Sequence, residues 1–276
     1  MEGEEGLKTL LLDKNSITQL DNLVSLPKLE VLDCSHNRII NINEIKTLVG
    51  LRTVWLGFNL IENIDSLKYL TRIRELDLQR NRIFSISNGT LSWLYNLQRL
   101  NISFNYLSEF PNDLTSLEAL RELNMSNNKI VEVKSGKWIK MWGLEVLNLA
   151  SNSLETLESI SGIADLKNLR NINLLSNPVF VMKQNEEKER IKNVIIEYCP
   201  ILRILNWEEL MQSSQANLQP IGKIGLFLTY SFWFSKVRAI KDIIFSSTRT
   251  KNRNKFEGKA KEAKWISDFN NRRRVE

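Results

Sequence analysis

Apolar side chains recur along this chain in one spacing, apolar-x-x-apolar-x-apolar-x-x-Asn-x-apolar, eight times over. The copies begin at Leu7, Leu29, Leu51, Ile73, Leu97, Leu120, Leu144 and Leu169, in steps of 22, 22, 22, 24, 23, 24 and 25 residues. The ninth position is asparagine in every copy: Asn15, Asn37, Asn59, Asn81, Asn105, Asn128, Asn152 and Asn177. A fixed period of this length predicts a solenoid, because no single copy can bury its own apolar face but stacked copies can.

Each position has a physical task. Apolar residues at the first, fourth and sixth positions predict a short strand that points them inward, and successive strands stack as one parallel sheet. Asparagine carries both a donor and an acceptor. It can therefore satisfy buried backbone groups where the chain leaves the strand, and its neighbours repeat the arrangement as a ladder. Leaving one such group unpaired costs about 1–3 kcal/mol. Cys34 and Met125 take the sixth position and read as core residues, not as reactive sulfur.

The second half of each early copy keeps a different rhythm. Ile17, Leu20, Leu23, Leu26 and Leu29 fall on every third residue, as do Ile39, Ile42, Ile45, Leu48 and Leu51. That period suits 3₁₀ turns better than an α-helix, so the outer side should be thin and the sheet strongly curved. Later copies run longer, as at 83–89, and predict short α-helical turns there. The fold class expected is thus α/β: a curved parallel sheet on the concave face and 3₁₀ or short helical segments on the convex side. After Asn177 the spacing changes. A helix over 186–198 and a last strand over 202–207 are predicted to shield the open end of the core, closing a first domain of residues 1–215 whose terminal portion spans about 178–210.

The period-three copies resemble the leucine-rich repeats of the subclass typified by the leucine-rich regulatory subunit of protein phosphatase 1. The ending, Asn177-Pro178 and then Tyr198-Cys199-Pro200-Ile201-Leu202-Arg203-Ile204-Leu205-Asn206, looks like the carboxy-terminal cap shared within that subclass. The spliceosomal A-prime protein and the leucine-rich light chain of axonemal outer-arm dynein are other members. The likeness covers residues 7–210. It implies a non-catalytic intracellular scaffold that binds a protein partner, in a phosphatase-regulating or a cilium- and cytoskeleton-associated assembly. The alternative it implies is a ribonucleoprotein component.

Charge divides the chain. Residues 216–276 hold 14 Lys/Arg against 5 Asp/Glu, a balance of +9, whereas the first 215 residues balance at −3. The two parts should therefore have different partners. The tail carries an aromatic run from Leu226 to Phe234 and a basic stretch from Arg249 onward. Docking of that run on the solenoid or on a partner is expected ahead of membrane contact, with a tail that has no role as a further possibility. Its charge suits acidic protein, nucleic acid or anionic membrane alike. The start, MEGEEGLKTLLLDKN, lacks the features of a secretory signal. No stretch reaches the roughly 18 apolar residues of a membrane span. Two cysteines suit a reducing compartment, so the sequons at Asn88, Asn101 and Asn124 read as by-products of the repeat. The expected location is cytoplasmic, with nucleus and cilium open.

On a concave sheet the non-core strand positions face a partner. Trp55, Phe58, Asp77, Arg80 and Phe104 fall at fifth and eighth positions of three consecutive copies, with Arg99 at a third position beside them. Exposed Trp, Phe and Arg together have the composition of an interface hot spot, so these six form the candidate protein-binding site. Farther along, Asn124, Asn127, Asn148, Ser151 and Asn173 make a polar, nearly neutral strip. His36 is the lone histidine, so neither a metal site nor a Ser-His-Asp triad can be completed around it. No Walker-type phosphate loop occurs. Catalytic residues, cofactor and metal are all expected to be absent.

Overall fold

The computed structural model describes residues 6–210 except 22, 24, 25, 137–139, 182 and 207. The tail and the boundary placed near residue 215 lie outside the described residues. Each repeat contributes one three-residue strand: β1 (Thr9–Leu11), β2 (Val31–Asp33), β3 (Thr53–Trp55), β4 (Glu75–Asp77), β5 (Arg99–Asn101), β6 (Glu122–Asn124), β7 (Val146–Asn148) and β8 (Asn171–Asn173). They pair in chain order and in parallel, followed by β9 (Ile204–Leu205) and an antiparallel β10 (Glu208–Glu209). The register is constant, Leu32 against Val54 and Val54 against Leu76, so the central residue of each repeat's strand, β1 to β8, points into one continuous core. Burying each such leucine stabilises the fold by about 1.5–3 kcal/mol.

The asparagine ladder closes the turn after each strand. Asn59 Nδ2 donates to the carbonyls of Cys34 (2.9 Å) and Leu56 (3.0 Å), while its Oδ1 accepts from the Ile39 N–H at 3.0 Å. Asn81, Asn105, Asn128 and Asn152 repeat this with their own neighbours. Among the described residues Asn15, in the first copy, bonds to carbonyls of its own turn alone.

On the outer side, 3₁₀ segments span Asn43–Thr47, Asp65–Tyr69, Asn112–Ser116 and Glu158–Asp165. The α-helical turns expected in the later copies are not formed among the described residues: residues 83–89 are irregular chain and a turn, and 3₁₀ geometry returns at Asn112–Ser116 and Glu158–Asp165. The cause is visible in the spacing: Leu157, Ile160, Ile163, Leu166 and Leu169 keep the period of three. The strands thus stack on one side of the solenoid and the 3₁₀ segments on the other.

After the eighth copy come α1 (Pro178–Val181) and α2 (Asn185–Tyr198). Val179, Phe180, Ile191 and Ile195 join the end of the core, so the expected helix is present and begins one residue earlier. The strand expected over 202–207 is shorter. It ends at Leu205 because Asn206 turns into the left-handed region (φ 51°) and sends the chain back as β10. Asn206 Oδ1 accepts the Leu174 N–H at 2.7 Å, which ties the eighth turn to the chain that follows β9.

Candidate functional site

The site is built from a backbone that repeats. At the eighth position every copy enters the left-handed region: Lys14, His36, Phe58, Arg80, Phe104, Asn127, Ser151 and Ser176 have φ between 52° and 59°. Such φ values are uncommon for bulky residues, yet four consecutive copies place His, Phe, Arg and Phe there. Identical backbone geometry then holds those side chains as stacked plates. The His36 and Phe58 rings are 4.0 Å apart and inclined by 16°. The Arg80 guanidinium lies between two rings, its Cζ 5.3 Å from the Phe58 centroid and 4.1 Å from that of Phe104. Arg80 is exposed, and Phe58 and Phe104 are partly so.

The fifth position is a second polar ladder, one the repeat analysis does not anticipate. The side-chain oxygens of Asp33, Asp77, Asn101, Asn124, Asn148 and Asn173 each accept the backbone N–H two residues on, at 2.9–3.2 Å. These are Asx turns. The signal was available in the sequence, since Asp or Asn fills this column in six of its eight members and Ser often follows two residues later.

Trp55 interrupts that ladder. The expectation that it stands exposed is corrected: it is 2% exposed. Strand pairing sets Asp33 and Asp77 directly beside it, and its indole N–H donates to Glu75 Oε1 at 3.2 Å. Glu75 also holds Arg99 in an ion pair, so Trp55, Glu75 and Arg99 form one chain of contacts across β3, β4 and β5. Asp77 is likewise buried, its Oδ2 accepting from Gln79 Nε2 at 2.9 Å. Burial, aided by the charges of Glu75 and Asp33, pushes its carboxyl up to about 7, against the opposing hydrogen bonds from Gln79.

The six predicted residues therefore fall into two layers. Phe58, Arg80 and Phe104 stand at the surface in the stack, and His36 extends it. Trp55 and Asp77 lie beneath, with Arg99 partly exposed above Glu75. Burial also raises the Cys34 and Cys199 thiols, the latter to about 11. Among the described residues no group of three or more His, Cys, Asp or Glu side chains gathers as a metal site, and no helix is long and apolar enough to cross a membrane.

Three family models match the chain. A leucine-rich repeat model covers residues 71–130, a second covers 102–221, and one of two repeat copies covers 5–47. No curated protein matches. Among solved structures, the chain is similar to an internalin, InlF, from Listeria monocytogenes (24% identity, TM-score 0.61, 73% of this chain and 54% of that one). Internalin C2 of the same species is 30% identical, with a TM-score of 0.56 over 62% of this chain and 72% of that one. The functional domain of its InlJ is 23% identical, with a TM-score of 0.55 over 73% of this chain and 39% of that one. The chain thus spans about half the length of the InlF structure.

Proposed function

Because the chain belongs to the leucine-rich repeat family, we propose that it is a non-catalytic scaffold that holds a protein partner against its concave face. The observation that carries this reading is the His36–Phe58–Arg80–Phe104 stack. Arginine and aromatic side chains dominate interface energetics. Here each ring is supported by its neighbour, so little side-chain freedom remains to be lost on binding. Arg80 makes no ion pair among the described residues, which leaves the edge of its guanidinium for a partner. Trp55, Asp77, Glu75 and Arg99 serve in this reading as the packed floor under the stack.

The resemblance of the repeats makes a phosphatase-regulating or cilium-associated assembly the setting to test first. The test is comparative capture from native extract with the full chain and an Arg80→Asn/Phe104→Asn variant. Asparagine tolerates the left-handed backbone, so the variant keeps its fold. Loss of the main partner supports the reading, and undiminished capture contradicts it.

A further inference from the structure

A second surface lies on the opposite edge of the sheet, where the chain enters each strand. The residue two before the first apolar position forms one file: Thr71, Tyr95, Glu118 and Trp142. The residue after that position forms another: Arg74, Gln98, Arg121 and Glu145, the last held in an ion pair by Arg170. Backbone bonds lock the second file rung to rung, from Gln98 N–H to the Arg74 carbonyl and from Arg121 N–H to the Gln98 carbonyl, both at 2.8 Å. Asparagine side chains tie the corners as well, Asn96 to the Thr71 carbonyl at 2.9 Å and Asn168 to the Trp142 carbonyl.

This rigid rim is basic and aromatic. Trp93, Tyr95 and Trp142 are 60%, 55% and 67% exposed. Arg72, Arg74, Arg121 and Lys140 are exposed and make no ion pair among the described residues, and Glu118 stands as an acid between Tyr95 and Trp142. Arg121 lies across Gly143, where a Cβ would fall 1.3 Å from its Nη1. That brings its guanidinium alongside the Trp142 backbone.

We propose that this rim binds single-stranded nucleic acid, the Tyr95 and Trp142 rings stacking on bases while Arg74 and Arg121 contact phosphates. The chemistry separates this ligand from an acidic peptide. Cations alone would serve carboxylates, but the negative face of an exposed aromatic ring repels a carboxylate, whereas it stacks well on a base. The site is independent of the concave face and of the partner proposed for it.

The test is fluorescence anisotropy of a labelled 20-mer oligouridylate with the full chain, so that the basic tail is the same in every variant. Tyr95→Ser/Trp142→Ser should weaken binding by at least about fivefold per ring. Tyr95→Phe/Trp142→Phe, which keeps both rings, should restore it. Arg74→Gln/Arg121→Gln should reduce the slope of log affinity against log salt by about 1.4, at about 0.7 per single-strand phosphate contact. Circular dichroism checks that each variant is folded. Parent-like affinity and slope in the Ser and Gln variants would place all binding outside the rim and overturn the proposal. Poly-glutamate binding that falls equally in the Ser variant would overturn it in favour of an acidic peptide.

Discussion

Arg80 and Phe104 sit 4.1 Å apart, guanidinium carbon to ring centroid, although each occupies a backbone conformation that disfavours a bulky side chain. The left-handed turn recurs because each repeat must leave its strand and return its asparagine to the ladder. What fills the turn is free to vary, and Lys, His, Phe, Arg, Asn and Ser all appear. A surface assembled from such positions can change its binding chemistry without disturbing the core.

That separation gives the first prediction. Phe58→Asn and Phe104→Asn remove stacking but suit the backbone, where a left-handed conformation costs roughly 1–2 kcal/mol for an ordinary residue. Each should change unfolding free energy by less than about 1 kcal/mol in a urea titration. A loss above about 3 kcal/mol would mean that the rings are core residues and not a surface device.

Asp77 should make stability depend on pH. Its folded carboxyl, pushed up to about 7, binds its proton more tightly than the unfolded side chain, near 3.9. The folded state therefore holds the extra proton between about pH 4 and 7, and stability should fall as pH rises through that window. Asp77→Asn reproduces the residue found in the next four copies. It should abolish this fall and raise stability at pH 8 by up to about 4 kcal/mol, at about 1.4 kcal/mol per pKa unit. Chemical denaturation at pH 4, 6 and 8 measures it, and an unchanged pH slope in the variant contradicts the assignment.

The asparagine ladder should be strong inside and weak at its start. Asn81→Ala leaves the Ile61 N–H without its partner and removes one of the two amide donors from each of the Leu56 and Leu78 carbonyls, which keep Asn59 and Asn105, a loss of roughly 2–3 kcal/mol. Asn15→Ala, which breaks only local bonds near the surface, should cost under about 1 kcal/mol. Comparable midpoints for the two variants in thermal melts would refute the distinction.

Gly162 is a packing prediction. A Cβ there would meet the carbonyl oxygens of Lys134 and Val133 at 2.6 and 2.7 Å, and its own N–H donates to the Val133 carbonyl at 2.8 Å. Gly162→Ala should destabilise by about 2 kcal/mol, within the range for forced overpacking. Gly143→Ala meets first the end of the Arg121 side chain and should cost less, by the same melt.

The fold was legible because its signal is translational: one misplaced leucine would have broken a register that eight copies share. The site was legible only in part. Phe58, Arg80 and Phe104 stand out as bulky residues in a polar column, and their side chains do meet. Trp55 stands out for the same reason but lies buried, because its indole can reach Glu75 one strand on, a reach that residue type alone does not reveal. Asp77 was assigned to solvent because alternation says which face a side chain leaves from, not whether it folds back on its own backbone. The Tyr95 and Trp142 rim is not legible in the sequence because it lies in turns, where repeat spacing varies and only the strands fix which residues share a column.

Site-specific photocrosslinking shows whether a protein partner sits on the stack. A benzophenone-bearing phenylalanine analogue is placed at Phe104 in one sample and at Tyr106, two residues on and outside the eighth-position ladder, in another. Both are irradiated in native extract. A discrete crosslinked partner is expected from position 104, lost when Arg80→Asn is added, and none from position 106. A partner captured only from 106, or captured from 104 regardless of Arg80, would contradict that placement.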